Sequence, residues 1–320
     1  LKKLRSIDTF IEGDKVQGFY LCVEKHLRYT RTGDLYIDIE LRDNTGHISG
    51  KIWDNVSELS SKFNAGNAVV ISGNVESFID RLQLVVKKIN KATVQHYGRY
   101  GFDPVNIVPA SKKDPQKMWQ EVQLVINALK NKQLRKLVSN IYKTNKKKLM
   151  VHPSSIKMNH NYRSGFLEHV LSMAKVAKKI TPLYDVDKDL VLVGVLLNNI
   201  GKLREINSEY ESDYTFEGNL IGHKVISRDM IRESIDRIKN FPDSMAKKIE
   251  HILISDLGLN SFKYHKTPSF PEALLVHLIN LLDSKMSLME IALDQDQDLG
   301  FFTNQYNYFR TPLLKKDGSK

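Results

Sequence analysis

"LYIDIELRDNTGHISGKIW", Leu35 to Trp53, reads as two strands and the turn that joins them. Leu35, Ile37, Ile39 and Leu41 alternate with Tyr36, Asp38, Glu40 and Arg42, the period-2 pattern of a strand buried on one face. "DNTG" supplies turn residues, and "HISGKIW" then alternates again. Working outward, "VQGFYLCVEKHLRYT" precedes this hairpin with the same strand character. Behind it come a short helical stretch, "VSELSSKF", and two further strands, "AVVISGNVESF" and "LQLVVKKI", meeting around Asp80 and Arg81. Five strands with a helix between the third and fourth predict a small OB β-barrel, an architecture that commonly binds single-stranded nucleic acid.

On such a barrel the outward face of the second and third strands carries Tyr36, Arg42, His47, Lys51 and Trp53. Rings interleaved with cations make a stacking platform for bases, with phosphate contacts beside it. A net charge of +11 and a pI near 9.4 agree with a polyanionic partner. The expected partner is single-stranded RNA or DNA. A single cysteine, Cys22, excludes an intramolecular disulfide framework and a cysteine-rich zinc site. No apolar run approaches the roughly 20 residues needed to span a bilayer, and no signal-peptide pattern is seen. A cytoplasmic protein without membrane contact is therefore expected.

Residues 92–115 hold Gly98, Gly101, Pro104, Pro109 and Pro115 with little periodicity and read as a linker after a barrel domain over 1–91. From Gln116 the pattern is helical: "MWQEVQLVINAL", "QLRKLVSNIY", "GFLEHVLSMAKVAKKI", "KDLVLVGVLL" and "PEALLVHLINLLDSKMSLMEIAL" all space apolar residues for one face. The fold class predicted is multidomain α+β, with an all-α second domain over 116–312 and a basic tail over 313–320.

Within the helical part, His169, His223, His251 and Asp283 each lie inside or at the start of an apolar helical stretch. Metal sites in helical bundles collect inward-facing imidazoles and carboxylates of this kind. His152, His160, His265 and His277 are counted as histidines outside this set. A second feature is "VLVGVLLNNIGKLREI", Val191 to Ile206, where an apolar helix runs into Asn198 and Asn199 before Gly201. Asparagine is costly to bury unpaired, so a buried helix ending on two of them points to a site.

"GFLEHVLSMA", "LVLVGVLLNNIGKLREI", "YTFEGNLIGHKVI", "EHILIS" and "PEALLVHLINLLDSK", in this order and preceded by "FDPVNIVPASKKDPQKMW", resemble the HD-domain phosphohydrolases. More narrowly, the chain resembles the YhaM-type 3′–5′ exoribonucleases, which join an OB domain to an HD domain. The resemblance implies a divalent metal of the Mn or Mg type, self-association into an oligomer, and a metal-binding His-Asp pair immediately before Ile-Gly-Lys. Here Asn198 and Asn199 stand at those two positions, ahead of Lys202. Asp256-Leu257 stands where the family usually shows a His-His pair. His169, His223 and Asp283 match the metal-ligand motifs, Asp256 is a further candidate ligand, and His251 is expected at the edge of the site. Asparagine has the shape of aspartate but not its charge, so the expected centre is eroded: one ion at low occupancy, or none.

Overall fold

The computed structural model describes residues 5–79, 81–208, 210, 212–255, 266–296 and 298–315. The chain divides into two compact units after Ala110.

The first unit is a closed barrel of strand order β1-β2-β3-β5-β4, with β1 over Lys15–Tyr29, β2 over Leu35–Arg42, β3 over His47–Ile52, β4 over Ala68–Phe78 and β5 over Arg81–Lys91. All pairings are antiparallel except β3 with β5. Closure depends on β1 serving two neighbours: Lys15 to Leu21 pairs with β4, and Leu21 to Tyr29 pairs with β2. A bulge between Cys22 and Glu24 sits where the strand changes partner, as bulges do where a sheet bends. A second bulge falls at Ser72 and Gly73, where β5 comes so close that a Cβ on Gly73 would collide with the Val85 carbonyl oxygen. The alternation seen in the sequence is realised: Ile37, Ile39, Leu41, Ile48 and Ile52 are buried in the barrel core. Val56 and Leu59 of α1 (Val56–Ser60), with Phe63 after it, join the same core.

Residues 92–110 are not a linker. They form a short helix, α2 (Val94–Tyr97), and two 3-10 turns whose Ala92, Phe102, Ile107 and Val108 pack on Leu21 and Ala68 outside the barrel. The apolar residues here are spaced by Gly and Pro turns rather than by a regular element, so no period reveals the packing.

The second unit is helical, with α3 (Pro115–Asn127), α4 (Lys132–Thr144), α5 (Lys146–Leu149), α6 (Gly165–Ile180), α7 (Lys188–Leu197), α8 (Lys202–Glu205), α9 (Phe216–Ile221), α10 (His223–Ile235), α11 (Asp243–Ile254) and α12 (Pro271–Gln295). To the helices it adds one small hairpin: β6 (Ile206–Ser208) and β7 (Ser212–Tyr214) pair antiparallel, strands too short to leave an alternating signal. The helix α7 is apolar on every side because it is central, packed on α4, α6, α11 and α12. Asp187 caps it by accepting from the Leu190 amide at 3.1 Å. Gly194 allows the close approach of α12, since a Cβ there would stand 2.6 Å from Val276 Cγ2. The expected tail begins later than residue 313: Leu313 is buried and its carbonyl accepts from the Thr303 amide at 2.9 Å. Residues 316–320 lie outside the described residues.

Candidate functional site

Two places carry functional chemistry. On the barrel, the register of β2 on β3 sets Asp38 opposite Lys51 and Arg42 opposite His47. Tyr36 and Trp53 stack with ring centroids 4.7 Å apart and planes at 29°. Trp53 is 44% exposed, so one face of the pair is open to a ligand ring. The Lys51 ammonium lies 5.4 Å from the Tyr36 ring centre. This face is less positive than its cations alone imply. Asp38 lies between Lys51 and Arg28, pairing with both, and His47 lies 3.5 Å from Glu40. Tyr36, Arg42, Lys51 and Trp53 thus share one surface, on which local carboxylates offset much of the charge.

The second place is a buried pocket in the helical unit. His169, on the second turn of α6, is fully buried, and Asp283 of α12 is 8% exposed. His169 Nδ1 donates to Asp283 Oδ2 at 2.6 Å. His160 reaches the same oxygen, its Nε2 donating at 3.0 Å. His160 holds a left-handed backbone, φ 49°, in the loop before α6, and a Cβ on Gly165 would collide with its carbonyl. That conformation is uncommon outside glycine and needs packing to hold it. Tyr162 ties the loop down: its hydroxyl lies 2.9 Å from His160 Nδ1 and donates to Glu168 at 3.1 Å. Glu168 in turn accepts from Ser111 at 2.7 Å and pairs with Lys113 at 2.7 Å.

The asparagine pair ends α7 beside this group. The Asn199 amide nitrogen lies 3.1 Å from His169 Nε2 and 2.9 Å from Asn280 Oδ1. Burial lowers the His169 pKa against the pull of Asp283. With Nδ1 donating to Asp283, Nε2 faces the Asn199 amide, whose hydrogens reach it and Asn280 Oδ1. Burial works to raise the Asp283 pKa, but hydrogen bonds from His160 and His169 outweigh it and hold the carboxyl well below its usual range. Asn198 is half-buried at the C-terminus of α7, its amide bonded to the Gly194 carbonyl. Lys202 turns its ammonium onto the Ser154 carbonyl at 2.6 Å, and burial, opposed by Glu205, draws its pKa down to about 8. The turn is held against α10 by the Gly201 amide, which donates to Ser227 Oγ at 2.8 Å where a Cβ would strike the His223 carbonyl.

The group the structure assembles is therefore His160, His169 and Asp283, with Asn199 and Asn280 beside them. Of the ligands expected from sequence, His169 and Asp283 lie in this group, while His223 and His251 meet other partners. His223 opens α10 and takes Glu205 instead, its backbone amide 2.9 Å and its Nδ1 3.1 Å from the same carboxylate oxygen. His251 accepts from the Ser269 amide at 3.0 Å and lies against the Phe270 ring. Asp256 and Leu257 lie outside the described residues. Two participants were not singled out in the sequence. Asn280 could have been, since it stands one turn before Asp283 on the same helix face. His160 could not, because it sits in a loop without a period.

Ligand atoms of His160, His169 and Asp283 lie within 4.8 Å of one another. Two imidazoles and a carboxylate are donors that one divalent ion accepts. No second group of this kind occurs among the described residues. The donor set fits one ion, and fits it only if His169 and His160 give up their hydrogen bonds to Asp283.

The family described as OB-fold nucleic acid binding domain matches residues 22–92, and the HD domain family matches residues 166–284. Among solved structures, the second OB-fold domain of replication protein A from Methanococcus maripaludis is 20% identical, with 27% of this chain and 92% of that chain covered and a TM-score of 0.23. A mitochondrial single-stranded DNA binding protein from S. cerevisiae is 13% identical over 26% of this chain and 97% of that one, with a TM-score of 0.23. A HINb domain is 18% identical over 28% of this chain, which spans under half of it, 46%, at a TM-score of 0.24. No helix among the described residues is long and apolar enough to cross a membrane. The chain joins an N-terminal OB-fold nucleic-acid-binding domain to a C-terminal HD domain.

Proposed function

We propose that this chain is a YhaM-like protein that binds single-stranded RNA or DNA, with an HD pocket descended from a metal-dependent 3′–5′ exoribonuclease and no longer built for two metals. The observation that carries this reading is the Asn199 amide. At the position of the family aspartate it donates a hydrogen to His169 Nε2, where an aspartate could only accept or ligate. A lone pair that would otherwise be open to a metal is thereby consumed within the protein. Asn280 takes the second hydrogen, so the amide is satisfied without any ion.

A divalent ion, when bound at such a centre, polarises a phosphate oxygen and acidifies the attacking water. The residues here do something else. His160 and His169 both donate to Asp283, which ties the loop before α6 to α12. This closed network favours a non-catalytic nucleic-acid-binding or scaffolding subunit over a weakened nuclease. Metal content and 3′-end trimming of a labelled oligonucleotide test the reading together. Less than one tightly held transition metal per chain and no trimming are expected. Two metals per chain, or trimming at the rate of an intact enzyme, would overturn it.

A further inference from the structure

The barrel has a second concave surface, on strands that the β2–β3 platform does not use. A groove of about 1540 Å³ is lined by the outer sides of β1, β4 and β5 and by the segment from His96 to Tyr100. Its floor is polar and low, with Gln17 paired across to Ser72 and Asn74 beside them. Its wall is aromatic: Phe19 and Tyr97 meet edge to face at 5.9 Å, and Tyr97 lies 6.2 Å from Tyr100, which is 54% exposed.

The charge of this groove is open. Lys15, Lys87, Lys91 and Arg99 line it, all are exposed, and none has an ion-pair partner among the described residues. The Arg99 guanidinium instead lies 4.8 Å from the Tyr100 ring centre. The lining carboxylate, Asp14, is already matched by Arg5. On the β2–β3 face the opposite holds, since Asp38 pairs with both Lys51 and Arg28. A cation that neutralises a phosphate releases a counterion condensed on the nucleic acid, and a lysine or arginine already paired with a carboxylate is not free to do so. Flat exposed rings next to such cations suit unstacked bases. An acidic polypeptide would use the cations and leave the rings idle.

We propose that the β1–β4–β5 groove is a second track for single-stranded nucleic acid, binding phosphates through Lys87, Lys91 and Arg99 and stacking a base on Tyr100. The track rests on the nucleic-acid reading of the barrel but not on the Tyr36–Trp53 platform. A strand longer than the platform can use both faces.

The test uses the full chain and fluorescence anisotropy with a labelled oligouridylate of about 20 nucleotides, longer than one OB fold's usual site, over a series of salt concentrations. Removing three phosphate contacts in Lys87→Ala/Lys91→Ala/Arg99→Ala should make the slope of log affinity against log salt shallower by about 2. Trp53→Ala removes no charge, so it should weaken binding with the slope unchanged. A wild-type slope in the triple variant overturns the groove, and if Trp53→Ala still weakens binding the platform reading survives. A shallower slope with no effect of Trp53→Ala supports the groove and sinks the platform. The same variants are run against polyglutamate. If the triple variant loses polyglutamate while keeping the oligonucleotide at wild-type affinity and slope, the groove serves an acidic protein and the proposal falls.

Discussion

On the β2–β3 face of the barrel, Lys51, Arg28 and His47 each have a carboxylate within reach near the surface, so exchanging one partner for another is cheap. In the helical pocket a single carboxylate, Asp283, takes hydrogens from two buried imidazoles. Surface pairs of the first kind are worth little, about 0–1 kcal/mol. A buried group of the second kind is costly to disturb, because whatever is left unpaired stays out of water. The contrast shows why a buried polar group is kept together by its own partners. Asn199 satisfies both His169 and Asn280, and so links the end of α7 to α6 and α12.

The largest expected effect follows from removing the shared carboxylate. Asp283→Ala leaves the ring N–H groups of His160 and His169 buried without their acceptor and should destabilise the helical unit by about 2–6 kcal/mol, about 1–3 kcal/mol for each. The two tryptophans make this measurable, since Trp53 lies on the barrel and Trp119 in the helical core. With Trp53→Phe as background, denaturant unfolding followed by Trp119 fluorescence should shift to lower denaturant, while oligonucleotide affinity measured in the native range stays unchanged. A loss under 1 kcal/mol would mean that the pocket does not hold the helices together.

A smaller effect is expected from restoring the family pair. Asn198→His with Asn199→Asp frees His169 Nε2 and adds a carboxylate, and should raise Mn affinity by at least about 10–100-fold. Calorimetric titration with the metal alone measures it. Trimming activity should recover less than affinity, because groups that act as a unit are not repaired singly. No gain in affinity would show that the pocket has drifted beyond what two side chains can mend.

On the barrel, Trp53→Ala should cost about 1–3 kcal/mol in oligonucleotide binding through the lost stack. It should leave Trp119-reported unfolding alone. An unchanged affinity would remove the platform from the binding surface and leave the two regions without the contrast drawn here.

The smallest effect concerns pH. His152 is buried with ring nitrogens 2.8 Å from the Pro153 carbonyl and 3.2 Å from the Ile206 carbonyl, and burial outweighs both in lowering its pKa. His169 is lowered likewise. Since the folded values lie below the unfolded one, the unfolded chain takes up protons first as pH falls. Stability of the helical unit is therefore full above about pH 6.5 and declines below it. Unfolding midpoints from Trp119 at several pH values check the sign, and a midpoint that rises on acidification would contradict it. In Asn199→Asp the new carboxylate should raise the His169 titration, visible in its ring proton resonances.

Much of the barrel was legible because strand alternation is local. Leu35 to Trp53 contains its own register, and once Ile37, Ile39 and Leu41 turn inward, Tyr36 and Trp53 have no choice but to meet outside. The helices were legible for the same reason, and so was the oddity of Asn198 and Asn199 behind an apolar helix. The packed segment after residue 91 was not, because Phe102, Ile107 and Val108 follow turns and not a period. Nor was the groove beside it, where Lys15 comes from β1, Lys87 and Lys91 from β5, and Arg99 from the turn after α2.

What the sequence by itself determined is therefore the inventory of elements and the two faces of each, since periods of 2 and 3.6 depend only on backbone geometry. Which polar residues meet inside the helical unit was decided by tertiary structure. His160, His169, Asn199, Asn280 and Asp283 come from a loop, two helices and a turn, over a span of more than a hundred residues. His223 and His251 sit on apolar helical stretches as His169 does, yet one finds Glu205 and the other the Ser269 amide. Helical spacing says that a side chain faces inward, and only the packing angle of the neighbouring helix says which atom it finds there.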